Sequence, residues 1–562
     1  MRTNLVLHSA LPLVVAAATT FVPYAVAQEP LDERVEAVFA EWDKPDSPGC
    51  AVAVIRDGKI VYEDGYGMAN LEHGVAITPR TVFYAGSVSK QFVAMSIALL
   101  AEQGALSFDD DIRRYLPEIP EYDQPITIRH LVHHTSGLRD YLTLSSLAGR
   151  DYAGGLLEQE VIDLVARQRE LNFQPGERYL YSNSGYFLLA EIVRRASGMS
   201  LREFAEEHIF KPLGMNESHF HDDNTHVVPN RADGYSRRDD GSWGAMTMRF
   251  ALVGSGGLYT TVEDLFRWDQ NFYHNRLGTG GQALIDTTLT RGVLNNGNEL
   301  DYAFAISLGE YRGRPTVSHG GALGGYRAHL VRFPEQRFSV AMLCNLANVN
   351  PGSLANQIAD AYLADQLAPE AETAAPKAEE RAERKVAQVD PAVYDDYVAR
   401  YVNQTGLVLA VTKEDGRLLL DWPGIPTLEL LPESETTFFQ QYDEDRFSFQ
   451  RDGAGRVARL FVHRGGDTTS FMRAPTMTPG QLAEYAGTYF SDELEVAYRL
   501  FVKDGELLLQ IRSRSPTPVT IVRNDMAAAR VGRVAFERDD EGRITGFTLN
   551  AGRVRNLRFV RR

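Results

Sequence analysis

The chain has 562 residues, 44% of them hydrophobic and 24% charged, a globular composition long enough for several domains of ordinary size. Its formal net charge of −17 excludes the basic face that phosphate backbones require, so no nucleic-acid partner is expected. Acidity otherwise bears on solubility, not on fold.

Arg2 precedes the run "ALPLVVAAATTFVPYAVA", which closes on Ala25-Val26-Ala27, a small-x-small pattern that a signal peptidase accepts. Residues 1–27 are therefore read as a secretory signal cleaved after Ala27. A membrane anchor is the other reading, but Pro23, two threonines and the shortness of the run speak against it. The expectation is a periplasmic or secreted protein with no stable membrane anchor.

Next comes a hairpin, "CAVAVIRDGKIVYEDGYG", two alternating runs around the turn signal Asp57-Gly58. It carries Cys50; the second cysteine, Cys344, ends the late run "FSVAMLC". Two cysteines cannot form a disulfide framework, and no histidine pattern around them suggests zinc. They are read as buried free thiols, with a bridge left open if the two strands are neighbours in an exported protein.

Helical patterns follow in "SKQFVAMSIALLAEQG", "ITIRHLVHHTSG" and "SGYFLLAEIVRRASG", the last stopped by a glycine. Strands return in "YAFAISLGEY", "PTVSHGG", "YRAHLVRF" and "RFSVAMLC". This order predicts an α+β domain over residues 28–367, its sheet completed by both ends of the segment around a helical insertion. Residues 368–389 are rich in Ala, Glu, Lys and Arg without apolar periodicity and read as a linker.

Beyond the linker the chain repeats. "DDYVARYV" is echoed by "AEYAGTYF", "KEDGRLLL" by "KDGELLLQ" and "RFSFQRDGAGRV" by "RVAFERDDEGRI", at an offset of roughly 88 residues. Two small antiparallel β-barrels are predicted, over residues 390–475 and 476–562.

Three short stretches carry chemistry. In "FYAGSVSKQFVAM", Ser87 and Lys90 stand one helical turn apart at the mouth of an apolar helix. A serine hydroxyl needs a neighbour to take its proton, and a lysine can do so once burial disfavours its charged form. A helix N-terminus beside Ser87 adds N–H groups where charge develops. Taken alone, the pair reads equally well as a serine cap followed by a solvated lysine. In "PGERYLYSNSGYF", Tyr181 and Asn183 sit two apart before a helix; the phenol can move a proton and the amide can bond lysine and substrate. In "VSHGGALGG", His319 lies on a strand whose Gly320 and Gly321 leave room for a substrate backbone to pair with the edge.

Taken together, Ser87-x-x-Lys90, Tyr181-x-Asn183 and His319-x-Gly321 resemble the three motifs of the serine β-lactamase and penicillin-binding-protein-like hydrolases, and the layout resembles D-aminopeptidase. The resemblance runs from about Leu31 to Leu367. It implies Ser87 as acylated nucleophile, Lys90 as its proton acceptor, Tyr181 as general base or proton shuttle, and Asn183 as the residue that orients substrate. His319, Gly320, Gly321 and Ala322 become substrate-binding, with the N–H groups of Ser87 and Ala322 as oxyanion hole. No metal or cofactor is implied. Histidine stands at 319 where β-lactamases usually carry lysine, and its charge is conditional.

The function expected is an exported serine hydrolase acting through an acyl-enzyme on a small peptide, amide or ester, foremost as a D-stereospecific peptidase of aminopeptidase or D,D-carboxypeptidase type. A carboxylesterase or weak β-lactamase is the alternative within chemistry, and a non-catalytic sensor of cell-wall peptides the one outside it. A homodimer is left open. The fold also implies that the first and last strands of the catalytic sheet run side by side, bringing Cys50 near Cys344. A loop of the second barrel is expected to wall one end of the cleft, with "IRSRSPTPVT" from Ile511 as a candidate.

Overall fold

A computed structural model describes residues 30–562 except 151–154, 239, 370–385, 424, 426, 441–444 and 465–466. The proposed signal segment and most of the linker lie outside the described residues.

The catalytic sheet has six antiparallel strands. The N-terminal part gives β1 (Cys50–Arg56) and β2 (Lys59–Tyr66), and the late part gives β3 (Ser307–Tyr311), β4 (Arg314–Leu323), β5 (Tyr326–Phe333) and β6 (Phe338–Cys344). Their order is β3-β4-β5-β6-β1-β2, so the two ends of the segment meet at β6 and β1. Asp57 and Gly58 both have positive φ, 50° and 78°, the pair of left-handed residues a tight hairpin between β1 and β2 requires.

Alternation along the central strands sorts their side chains onto two faces. Val52, Val54, Val340 and Met342 point toward α1 (Leu31–Phe39) and the helix Pro351–Tyr362. Ala51, Ala53, Ala341 and Leu343 point toward the helical layer, built on α2 (Ser89–Glu102), α3 (Tyr141–Leu147) and α4 (Asn183–Ser197). Small residues on this second face let α2 lie close to the sheet, and α2 itself is buried along nearly its whole length. Gly198, with φ of 77°, ends α4 in the left-handed conformation.

Cys50 and Cys344 are register partners across β1 and β6 and are bonded to each other, which overturns the free-thiol reading. Neither run says by itself that the other is its neighbour. Only the pairing of the segment's two ends brings the sulfurs together. The predicted helix "ITIRHLVHHTSG" shortens to Ile128–Val132, and the strand "YAFAISLGEY" to its last five residues, because Ala305 has φ of 55° and turns the chain just before β3.

Two closed eight-stranded antiparallel barrels follow, the first from Ala399–Val402 to Asp467–Arg473 and the second from Gly487–Ser491 to Val554–Arg561. Closure leaves neither barrel a free sheet edge. Both repeat one device: Tyr401 donates its hydroxyl to Tyr397 O, and Tyr489 to Tyr485 O, each at 2.9 Å. The second barrel is docked on the catalytic domain. Its Tyr498 hydroxyl donates to Leu147 O at 2.8 Å, and Leu144, Leu147 and Leu164 join its apolar core.

Candidate active site

Ser87 occupies a single 3-10 turn, Gly86–Val88, that runs straight into α2 and keeps Lys90 one turn away. Two glycines let this turn close on β4. A Cβ on Gly86 would stand 2.6 Å from Ala322 N, and one on Gly321 would stand 2.0 Å from Ala85 O. The β4–β3 pairing ends at Ser318, so from His319 onward β4 pairs only with β5 and its other edge is open to the cleft.

Lys90 is wholly buried, and its Nζ lies 3.0 Å from Ser87 Oγ, 3.0 Å from Asn183 Oδ1 and in contact with Ser255 O. Burial pushes its ammonium well below the ordinary lysine range; Asp140 pulls it back up and Arg553 pushes it further down. A neutral amine has two hydrogens and one lone pair. Asn183 Oδ1 and Ser255 O can only accept, so they take the two hydrogens and leave the lone pair aimed at Ser87 Oγ. Ser87 is then the donor, the arrangement a nucleophile and its base require.

Asn183, the first residue of α4, is held by Asp140, the buried cap of α3. Asp140 Oδ2 accepts from Asn183 N at 2.7 Å and from Asn183 Nδ2 at 2.8 Å, while Oδ1 accepts from Thr143 N at 3.0 Å. The amide is thus oriented with its oxygen toward Lys90. Ser255 is braced separately, its Oγ paired with the Tyr141 hydroxyl at 2.8 Å.

The Tyr181 hydroxyl is buried without a hydrogen bond. Burial raises its pKa, the neighbouring Ser87 pulls it back, and the phenol stays protonated through the neutral range. Lys90 Nζ lies 4.9 Å from the centre of its ring on one contact and the Arg553 guanidinium 4.7 Å on another.

His319 is neutral. Its Nδ1 lies 2.7 Å from Gly320 O, which can only accept, so Nδ1 carries the proton and Nε2 accepts from the Tyr302 hydroxyl at 3.1 Å. Ser182 N donates to His134 Nδ1 at 3.2 Å, leaving His134 Nε2 to donate to that same Tyr302 oxygen at 3.2 Å. Burial, helped by Lys90, drives the His319 pKa down to about 3. Whatever conditional charge the sequence allowed at 319 is absent near neutrality.

A cavity of about 640 Å³ gathers Ser87, Tyr181, Asn183, His319, Gly320, Gly321 and Ala322 on its wall, with Lys90 immediately behind. Every residue singled out from the sequence therefore converges on one cleft. Four that sequence reasoning missed complete it: Asp140, Ser255, Tyr302 and Arg553. Asp140 looks like any helix cap. Arg553 comes from the second barrel, on the turn between Ile544–Ala551 and Val554–Arg561. Its one signal was a mismatch between the repeats, Gly552-Arg553 standing where the first copy has Gly465-Gly466.

The expected wall from the second barrel exists, but not where it was sought. Arg512 and Arg514, in "IRSRSPTPVT", are spent on the carbonyls of Ala148, Ser146 and Arg150 around the end of α3, and so dock the barrel instead of facing the cleft.

The sequence matches the family described as "Beta-lactamase" over residues 34–365, and the one described as "Domain of unknown function (DUF3471)" over residues 383–473. Among similar proteins, "Penicillin-binding protein 4*" of Bacillus subtilis (strain 168) is 32% identical over 407 residues, covering 69% of this chain and 87% of its own. A "D-aminopeptidase" of Gluconobacter oxydans (strain 621H) is 28% identical over 472 residues, covering 83% of each. The octameric penicillin-binding protein homologue from Pyrococcus abyssi shares the fold, with a TM-score of 0.53 at 22% identity, covering 86% of this chain and 98% of its own.

Proposed function

From the premise that this chain belongs to the Beta-lactamase family and is a serine hydrolase, we propose that it cleaves amide bonds of peptides containing D-residues, through an acyl-enzyme on Ser87. The observation that carries the chemistry is the Nζ of a buried Lys90 standing 3.0 Å from Ser87 Oγ while its other two partners, Asn183 Oδ1 and Ser255 O, are both acceptors. The D-preference is supported by the relatives named D-aminopeptidase.

Ser87 gives its proton to Lys90 as Oγ bonds to the substrate carbonyl carbon. The N–H groups of Ser87 and Ala322, brought to one wall by Gly86 and Gly321, receive the charge on the carbonyl oxygen. The C–N bond then breaks. Tyr181 gives its proton to the departing nitrogen and recovers one from the Lys90 ammonium. Water adds to the acyl ester and loses a proton along the same route, the ester C–O bond breaks, and Ser87 regains its hydrogen as the acid leaves. A protonated Tyr181 acts here as relay, not as a standing phenolate base.

Export is part of the same reading. It is supported by the small-x-small pattern at Ala25–Ala27 and by the Cys50–Cys344 bridge, which suits an oxidising compartment. N-terminal sequencing of the mature protein should begin at Gln28.

Mass spectrometry after treatment with a fluorophosphonate should find Ser87 labelled, and Ser87→Ala should abolish labelling and peptide hydrolysis. Tyr181→Phe should lower turnover by about two to four orders of magnitude. Label on another serine, or equal rates on D- and L-diastereomers of one peptide, would defeat the proposal.

A further inference from the structure

The cleft has an electrostatic sign that the catalytic residues do not account for. Among the described residues no aspartate or glutamate lines the cavity, whereas Arg327 and Arg553 both do. Arg327 Nη1 is committed to Gly324 O and Tyr326 O. His319 and His329 are both neutral, with pKa values driven by burial to about 3 and about 4. Lys90 lies behind the wall, its ammonium disfavoured by burial and its Nζ held by Ser87, Asn183 and Ser255. Of the two guanidiniums, that of Arg553 is the one that lies over the Tyr181 ring.

The backbone at Arg553 is held firmly. Asn172 Nδ2 donates to Arg553 O at 3.0 Å, and Asn172 Oδ1 accepts from Arg555 N at 2.7 Å, so one catalytic-domain amide grips the barrel's turn at two points. Val554 beside it is fully buried. The side chain is held more loosely, by a long ion pair and a ring contact. It lies over the Tyr181 ring and comes no closer than 3.8 Å to Asp140 Oδ2, and among the described residues its guanidinium closes no hydrogen bond. Its side chain is 42% exposed while it lines the cavity that holds Ser87.

We propose that Arg553, delivered by the second barrel, is the anion-recognition residue of this cleft and selects substrates whose leaving residue bears a carboxylate. The proposal rests on the reading of Tyr181 given above: the group that hands a proton to the departing nitrogen marks the leaving side, and Arg553 lies over that same ring. In a peptide cut at its last bond, the carboxylate is one carbon removed from the departing nitrogen, within reach of a guanidinium so placed. A planar fork of N–H donors matches a carboxylate bidentately. Among its described lining residues the same cleft offers no acid to receive a free α-ammonium and confronts it with a cation. Of the two peptidase types suggested by the sequence, the carboxypeptidase type fits these charges and the aminopeptidase type does not.

The test uses the full-length protein and three probes: a neutral activated ester, an N-acetylated peptide ending in D-Ala with a free carboxylate, and the same peptide ending in a carboxamide. The wild type should favour the free acid over the amide in kcat/KM by about 100-fold. Arg553→Gln should bring that ratio near one, the loss falling on the free acid, and Arg553→Lys should restore part of it. Ratios are taken on the pH plateau, where any change at Lys90 affects both peptides alike. A wild-type ratio near one, a preference for peptides with a free N-terminal ammonium, or equal losses on both peptides in Arg553→Gln would overturn the inference. Turnover of the neutral ester with no charge preference sinks the role of Arg553 alone, whereas no turnover of any probe and no Ser87 labelling sinks the catalytic reading beneath it.

Discussion

The two barrels share a strand plan, a closed sheet and a tyrosine tied four residues upstream, yet they hold different places in the molecule. The first keeps its apolar core to itself and meets the second through polar contacts, among them Arg400 with Thr520 and Glu506, and Arg533 with Gln404 O. The second shares its core with α3 and sends Glu493 and Arg553 into the catalytic domain. Residues that close a barrel recur at the repeat interval, and residues that bind the neighbour do not. Tyr498 bonds Leu147 O where the first copy has Leu409, and Glu493 stands where it has Thr405. Duplication copied the container, and function was written at positions where the copies disagree.

The sharpest of the docking contacts is Arg139, fully buried, which meets Glu493 at 3.0 Å, Gln168 Oε1 at 3.0 Å and the carbonyls of Arg555 and Asn556. It directly precedes Asp140, the residue that orients Asn183 toward Lys90. Glu493→Ala leaves a buried cation without its counter-charge and should cost about 3 kcal/mol. It should also slow acylation of Ser87. Thr405→Ala in the first barrel should stay within about 0.5 kcal/mol. Denaturant unfolding and the rate of fluorophosphonate labelling check both, and equal effects would erase the distinction between the barrels.

Tyr498→Phe removes one buried hydrogen bond across the interface and should cost about 1 kcal/mol, leaving the Leu147 carbonyl unpaired. Thermal unfolding resolves it. A subtler effect concerns pH. Acylation needs unprotonated Lys90, and the charge of Arg553 helps keep its pKa low. Arg553→Gln should therefore raise that pKa and move the acid limb of the kcat/KM profile to higher pH, while Asp140→Asn should move it lower. The smallest effect is expected where the barrels touch each other: the partly exposed Arg400–Glu506 pair should contribute less than about 1 kcal/mol, so Arg400→Ala should be nearly silent in stability and silent in catalysis.

Much of this was written in short-range pattern. Apolar alternation marked β1 and β6, Asp57-Gly58 marked a hairpin, and three motifs on a turn, a helix start and a strand found the cleft. What escaped was decided by pairing distant segments. Two cysteines in separate strands become a bridge only when β1 lies beside β6. Asp140 carries the signature of a helix cap and is one, yet its second carboxylate oxygen does work that no local pattern encodes. His319 kept an open charge in sequence because its pKa is set by burial and by Lys90, which lies elsewhere along the chain.

The dependence of Arg139 on Glu493 also orders events in time. Glu493 follows Ser87 by 406 residues (493 − 87), which a ribosome working at about 5–20 residues per second spans in roughly 20 to 80 s. Throughout that interval the nucleophile and its lysine have been made, while the segment that carries Asp140 still lacks the counter-charge that seats it. We expect a growing chain to acylate slowly until the second barrel arrives, and stalled chains of increasing length probed with a fluorophosphonate should reach the full labelling rate only once Val554–Arg561 has emerged.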